Sequence, residues 1–184
     1  YWRDWSSDVC SSDLNTQTFY FWDSILPTDR GWEVSVDAYV SPTLPVSNYH
    51  ALRLNAQIPL SRTSNVNLGP GLEVGFAAGG GSSRYIQNVL NITNEPGWWG
   101  LPSSGGLLSS VTNVGLRLQY NSSTKTLTSF YRTNTNSAWQ TSASTNLSAF
   151  SASQLTNGFW LSIGSIAEPS FIISEGQAFF DNFR

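Results

Sequence analysis

Apolar and polar side chains alternate with a period of two along most of this chain. Trp32, Val34, Val36, Ala38 and Val40 interleave with Glu33, Ser35, Asp37 and Tyr39. Leu52, Leu54, Ala56, Ile58 and Leu60 do the same around Arg53, Asn55 and Gln57, as do Leu72, Val74 and Phe76 around Glu73 and Gly75. Successive side chains of a strand leave on opposite faces, so this pattern predicts strands with one buried and one solvated face. Val114, Leu116, Leu118 and Tyr120 run into the polar stretch from Asn121 to Lys125, after which Leu127, Ser129 and Tyr131 resume the alternation. That order predicts a hairpin. Further strands are expected at Trp139, across Phe159 to Ile166 and across Gln177 to Phe183. No segment carries a helical period. Gln87 to Asn94, with its asparagines and β-branched residues, fits a strand or loop.

Glycine, serine and proline punctuate these runs. Gly79 to Ser83 and Ser103 to Ser110 read as flexible connections, with Glu95-Pro96-Gly97-Trp98-Trp99-Gly100 as a loop between them. Neither a repeat nor a linker divides the chain. Many short strands separated by such turns predict an all-β fold, a two-sheet antiparallel β-sandwich.

Composition changes the picture in one place above all. The segment from Asp4 to Leu14, Asp-Trp-Ser-Ser-Asp-Val-Cys-Ser-Ser-Asp-Leu, resembles one translated frame of a sequencing-library adapter, and such segments are set aside before fold reasoning. Residues 1–14 are therefore expected to be adapter-derived, with residues 15–184 as a single β-sandwich domain. Removing them leaves nine acidic and eight basic side chains, close to neutrality, instead of the formal −3 of the whole chain. Clustered Lys and Arg are missing, so nucleic acid is not an expected partner. Aromatics at 14% argue against disorder. The single cysteine, Cys10, lies inside the adapter-like segment, which removes a disulfide scaffold, a thiolate zinc site and a cysteine nucleophile together. No apolar run approaches the roughly 18 residues of a membrane-crossing helix. An uncharged polar surface over an aromatic core predicts a soluble protein, extracellular or at the cell surface. The chain has no methionine. With the adapter-like segment, this predicts an environmental fragment open at its N-terminus, belonging to a larger chain with flanking domains.

Three stretches carry a family resemblance. Phe21-Trp22-Asp23 with Trp32 to Asp37, the hairpin Leu116 to Tyr120 with Lys125 to Tyr131, and the ending Ser174 to Arg184 resemble strands of concanavalin A-like lectin/glucanase jelly rolls. The resemblance is a pattern of core positions and contains no catalytic signature. It implies a jelly-roll sandwich and carbohydrate, such as a glycan or cell-surface polysaccharide, as the commonest ligand class; fold alone does not fix function.

Catalytic candidates are few. Glycosidases of this fold need two carboxylates flanking the scissile bond. Glu33 and Asp37 share a strand face but stand about 13 Å apart along it, and Glu73 is alone on its strand. A lyase would need a second arginine near Arg53 and a Gln/His/Tyr set, which the sequence does not assemble. Cross-strand ion pairing among Glu33, Asp37, Arg117 and Arg132 is the simpler expectation. No Gly-x-Ser-x-Gly elbow occurs, and His50, the single histidine, reads as a strand-edge residue. For metal, Asp23 and Asp181 resemble positions that hold a structural Ca²⁺ in related modules. The rival role for Asp181 is a hydrogen-bonded anchor.

Sugars are held by an aromatic platform and polar hydrogen-bonders. Trp98 and Trp99, with Tyr85 and Arg84 upstream, are the candidates, and adjacent indoles in an extended segment point opposite ways. Trp32 and Trp160 read as core. The sequence thus leads to a noncatalytic carbohydrate-binding or adhesive module. A ligand-free structural spacer and a glycoside hydrolase or polysaccharide lyase are the alternatives.

Overall fold

The alternating segments pair into two antiparallel sheets in the computed structural model, which describes residues 17–22, 24–59, 68–79, 83–91, 99–107, 110–148, 152–168, 173–174 and 176–184. The strands are β1 (Gln17–Phe21), β2 (Trp32–Val40), β3 (His50–Pro59), β4 (Leu68–Ala78), β5 (Arg84–Asn91), β6 (Trp99–Leu107), β7 (Asn113–Asn121), β8 (Thr126–Arg132), β9 (Gln140–Asn146), β10 (Trp160–Ala167) and β11 (Ala178–Asp181), with a short helix α1 (Ala152–Leu155) before β10. One sheet runs β1-β10-β3-β4-β5-β6, the other β11-β2-β7-β8-β9.

The inward residues of both sheets meet in one core. Val34, Val36, Ala38 and Val40 of β2, with Leu116, Leu118 and Tyr120 of β7, pack against Leu52, Leu54, Ala56 and Ile58 of β3 and Leu72, Val74 and Phe76 of β4. These are the alternate positions of the sequence pattern, as the pleat requires. Trp32, Tyr120 and Phe159 close one end, with Trp32 edge-on to Phe159 at 5.0 Å between centroids. Arg84 closes the other, as described below. Between the sheets, Asn88 accepts from Ser129 Oγ at 2.9 Å and donates to Ser142 Oγ at 2.7 Å. A buried polar residue is thereby satisfied where most neighbours are apolar.

The β7–β8 hairpin forms as expected. Asn121 Oδ1 accepts the backbone N–H groups of Ser123 and Thr124, the local bond that makes Asn a turn residue. β2 and β11 pair from Ala178 opposite Val40 to Asp181 opposite Asp37. Arg184 extends that pairing through mutual backbone bonds with Ser35 at 3.0 and 2.9 Å.

Several expectations need correction. The stretch from Ser103, read as a connection, is strand as far as Leu107, and Trp99 and Gly100 belong to the same strand, β6, rather than to a loop. As an edge strand β6 needs only backbone bonds to β5, made with two register irregularities. Gln87 to Asn91, by contrast, takes the first of its two expected forms, strand. A single helical turn exists where none was expected. Trp160 is half-buried and pairs with Gln57 on the outward face, rather than in the core. Residues 1–14 lie outside the described residues.

Candidate functional site

A two-layer sandwich turns one face of each sheet away from the core. On β3 the residues facing away are Ala51, Arg53, Asn55 and Gln57. Register with the neighbouring strands sorts the outward face into rows. Ile166, Ala51, Ala77 and Tyr85 make one row, and Gly164, Arg53, Gly75 and Gln87 the next. Ser162, Asn55, Glu73 and Val89 make the third, followed by Trp160, Gln57 and Gly71. Long polar side chains thus stand among small residues on this outward face, called the trough below. Gly75 matters for space: a Cβ there would lie 3.3 Å from Arg53 Cγ, so glycine lets the arginine lie across β4.

The polar residues of this face are not solvated. Arg53 is 5% exposed, Asn55 4% and Glu73 2%. Arg53 Nε stands 3.2 Å from Glu73 Oε1, an ion pair not aligned as a hydrogen bond, and Nη1 donates to Oε2 at 3.5 Å. Arg53 Nη2 donates to Tyr49 Oη at 2.6 Å, and that hydroxyl donates to Gln87 Oε1 at 2.8 Å. Asn55 Nδ2 donates to Ser162 Oγ at 3.4 Å, while Asn55 Oδ1 is buried with no hydrogen-bond partner among the described residues. Burial disfavours the charged carboxylate and pushes Glu73 up to about 7, with Arg53 pulling the other way. Burial also raises the Tyr85 phenol; Tyr49 adds to that rise and Arg53 opposes it.

Tyr85 therefore borders this trough, but its neighbour Arg84 does not. Successive strand residues leave on opposite faces, and Arg84 points between the sheets, 1% exposed. Its guanidinium donates to the carbonyls of Ser41 at 2.7 Å, Val40 at 3.4 Å and Val111. It is a clamp on the backbone, removed from any ligand on the outward face. His50 opens β3, buried on the core side, with Nδ1 3.0 Å from Asn48 O. Burial lowers its pKa, the Asn48 carbonyl raises it and nearby Arg84 lowers it. Trp99 pairs in register with Leu90, while Trp98 and Asp23 lie outside the described residues. Asp181 is exposed at the end of β11, and its Oδ1 accepts the N–H of Asn182 at 2.7 Å. The described residues hold no group of three His, Cys, Asp or Glu suited to a metal.

The opposite sheet carries the expected ion pairs, Arg117 to Glu33 at 3.4 Å and Arg132 to Asp37 at 3.6 Å. Trp139 packs against both guanidiniums, 4.6 and 4.5 Å from its ring centroid. Glu33 and Asp37 are thus engaged with arginines and face away from the trough.

Sequence reasoning passed over Arg53, Asn55, Glu73, Gln87 and Tyr49 as a group. Each strand shows one or two of them among polar alternating positions, which reads as solvated surface. The available signal was charge at the centre of a strand beside Gly75, a place where a long side chain needs room.

No protein-family profile matches the chain, and no curated protein matches it. Solved structures do. The potassium-bound carbohydrate recognition domain of Emp46p superposes with a TM-score of 0.61 at 13% identity, over 91% of this chain and 75% of that one. The CBM2 module of the evolved Dit protein of Lactobacillus casei BL23 phage J-1 gives 0.55 at 8% identity, over 94% and 74%. An alginate lyase from Pseudomonas aeruginosa gives 0.51 at 8%, over 87% and 66%. At such identities the likeness establishes the fold, a concanavalin A-like β-sandwich, shared by binding domains and enzymes alike.

Proposed function

We propose that this domain is a glycan-binding module whose ligand lies along the outward face of the six-stranded sheet. The observation that carries the reading is the buried polar network of Arg53, Glu73, Tyr49, Gln87 and Asn55 on a face that a plain spacer would leave solvated or apolar. Buried polar groups are costly unless fully bonded, and Asn55 Oδ1 is left without a partner among the described residues. Half-buried Tyr85 and Trp160 flank the network with aromatic surface, the combination that sugars require. Trp98 and Trp99, the candidates from the sequence, are proposed to add indole surface to the ligand contact. An extracellular setting within a larger protein accords with the uncharged polar composition.

A glycan array followed by calorimetry on the hits tests this. Tyr85→Ala and Gln87→Ala should each weaken binding by about 1–3 kcal/mol, the scale of a central contact, with unfolding little changed. Trp98→Ala and Trp99→Ala should weaken it selectively too. Trp139→Ala, on the other sheet, should leave affinity unchanged. Absence of binding across the array would favour the spacer.

Glu73 also supports a second reading. A carboxyl poised near neutral pH suits acid–base chemistry, although glycosidic hydrolysis needs a pair of carboxylates and the described part of this face holds one. New reducing or unsaturated chain ends after incubation with the bound polymer, lost in Glu73→Gln, would select the enzyme.

A further inference from the structure

We propose that the ligand of this face is a carboxylate-bearing glycan, a polyuronate, and that its carboxylate is accepted together with a proton taken up by Glu73. The inference rests on the glycan-binding reading above and is carried by charge. Arg53 and Glu73 form a buried pair of net charge zero. Arg53 is the one cation that the described residues place on this face, so a sugar carboxylate arriving there would leave one buried negative charge unbalanced. Such a charge is expensive. Protonating Glu73 restores neutrality and frees Arg53 for the ligand, whose planar pair of oxygens matches a guanidinium edge.

The trough is built for that exchange. Glu73 Oε1 and Asn55 Oδ1 sit on residues paired directly across β3 and β4, both atoms buried and both without a hydrogen bond. Asn55 Oδ1 lacks a donor among the described residues and Glu73 Oε1 has only the misaligned Arg53 Nε at 3.2 Å, so a sugar hydroxyl or a proton on Glu73 completes the row. Burial already holds Glu73 up to about 7, so the proton costs little near neutral pH. The other titratable groups nearby are Tyr49, bonded to Arg53, and Tyr85, whose phenol burial pushes further from ionisation. Glu168 lies beyond Asn48, which donates to it at 3.4 Å, and His50 faces the core on the other side of β3.

Calorimetric titration with oligogalacturonate and oligomannuronate, and with a neutral cello-oligosaccharide of equal length, tests the linkage. Each is run from about pH 5.5 to about pH 8.5 in two buffers of different ionisation enthalpy, which counts protons exchanged on binding. Affinity for a uronate should be flat below about pH 6 and fall about tenfold per pH unit above about pH 7, with about one proton taken up there. The neutral oligosaccharide should bind more weakly and without proton exchange. Glu73→Gln should hold the acid-limb affinity at every pH and take up no proton. The wild-type proton count stands on its own if that variant fails to fold. Uronate binding that is independent of pH and moves no proton would overturn the proposal. Binding confined to neutral sugars and abolished by Tyr85→Ala would overturn it while leaving glycan binding intact; binding of no glycan at all would overturn both.

Discussion

Arg84 separates a structural role from a ligand role most sharply, because the sequence offered it as a binding residue and the fold buries it as a clamp. Removing its guanidinium leaves the carbonyls of Ser41, Val40 and Val111 without that donor. Hydrogen bonds from a charged group contribute roughly 1.5–3 kcal/mol each. The Val40 bond, at 3.4 Å, counts least, and Arg84 Nε is itself buried without a partner among the described residues, so part of the loss is offset when the charge no longer has to be buried. A net cost of about 3 kcal/mol is expected for Arg84→Met, which keeps most of the volume, and about 4–5 kcal/mol for Arg84→Ala, which adds a cavity. For a domain of this size 3 kcal/mol moves Tm by roughly 6–12 °C. Urea titration followed by tryptophan fluorescence measures the difference, with an unchanged m-value showing that both states keep their compactness. Calorimetry below the transition should then find glycan affinity unaltered per folded molecule. A stability loss under about 1 kcal/mol with a clear loss of affinity would refute the clamp and return Arg84 to the ligand.

Other tests are simpler. Val36→Asp places a carboxylate among apolar side chains and should cost about 4 kcal/mol or more, whereas Ser35→Asp, opposite Arg117 on the outer face, should stay within about 1 kcal/mol in the same urea titration. Glu73, raised from 4.5 to about 7 in the folded state, makes folding take up a proton. Its contribution is therefore fully present below about pH 4.5 and lost as pH rises through about pH 7, by at most ~3 kcal/mol. Stability curves of wild type and Glu73→Gln should diverge over that window, and parallel curves would show that the carboxyl is not shifted. Gly158→Ala should cost about 2–4 kcal/mol, since φ is +70° and a Cβ would clash with Ile25 Cγ2 and stand 2.7 Å from the Leu26 carbonyl. Gly176→Ala, at φ +76° with open space around it, should cost only the backbone term of about 1–2 kcal/mol, and equal losses in thermal melts would show that the contact at Gly158 is relieved.

The alternation was readable wherever one strand face meets the core and the other meets water. It located β2, β3, β4, β7 and β8. It failed for β6 and gave only the start of β9, at Trp139, for a common reason. Gln140 to Asn146 is made of small polar residues at a sheet edge, and β6 of Gly, Ser and Pro; their pairing lies in backbone bonds, which leave no hydrophobic period. The trough was illegible for a different reason. A period of two says that Arg53 and Glu73 leave the core side of their strands, but not that the outward side is covered. Their meeting depends on the β3–β4 register, in which Arg53 faces Gly75 and Asn55 faces Glu73. Trp160 misled in the opposite sense, since an aromatic in a strand is more often core than rim.

The order of strands in the six-stranded sheet also sets a timetable. β3 ends at Pro59, but its partner on one side, β10, begins only at Trp160. A ribosome adding roughly 5–20 residues per second would hold that edge of β3 open for about 5–20 s, long enough for an apolar strand to pair with another copy. Arg53, Asn55 and Gln57 interrupt the apolar run along this waiting edge, as gatekeeper residues do in strands exposed during folding. Replacing all three by apolar residues would then lower the yield of folded protein during synthesis more than it lowers the stability of the finished domain. The polar side chains of the trough would thus protect the chain before β10 exists to join it.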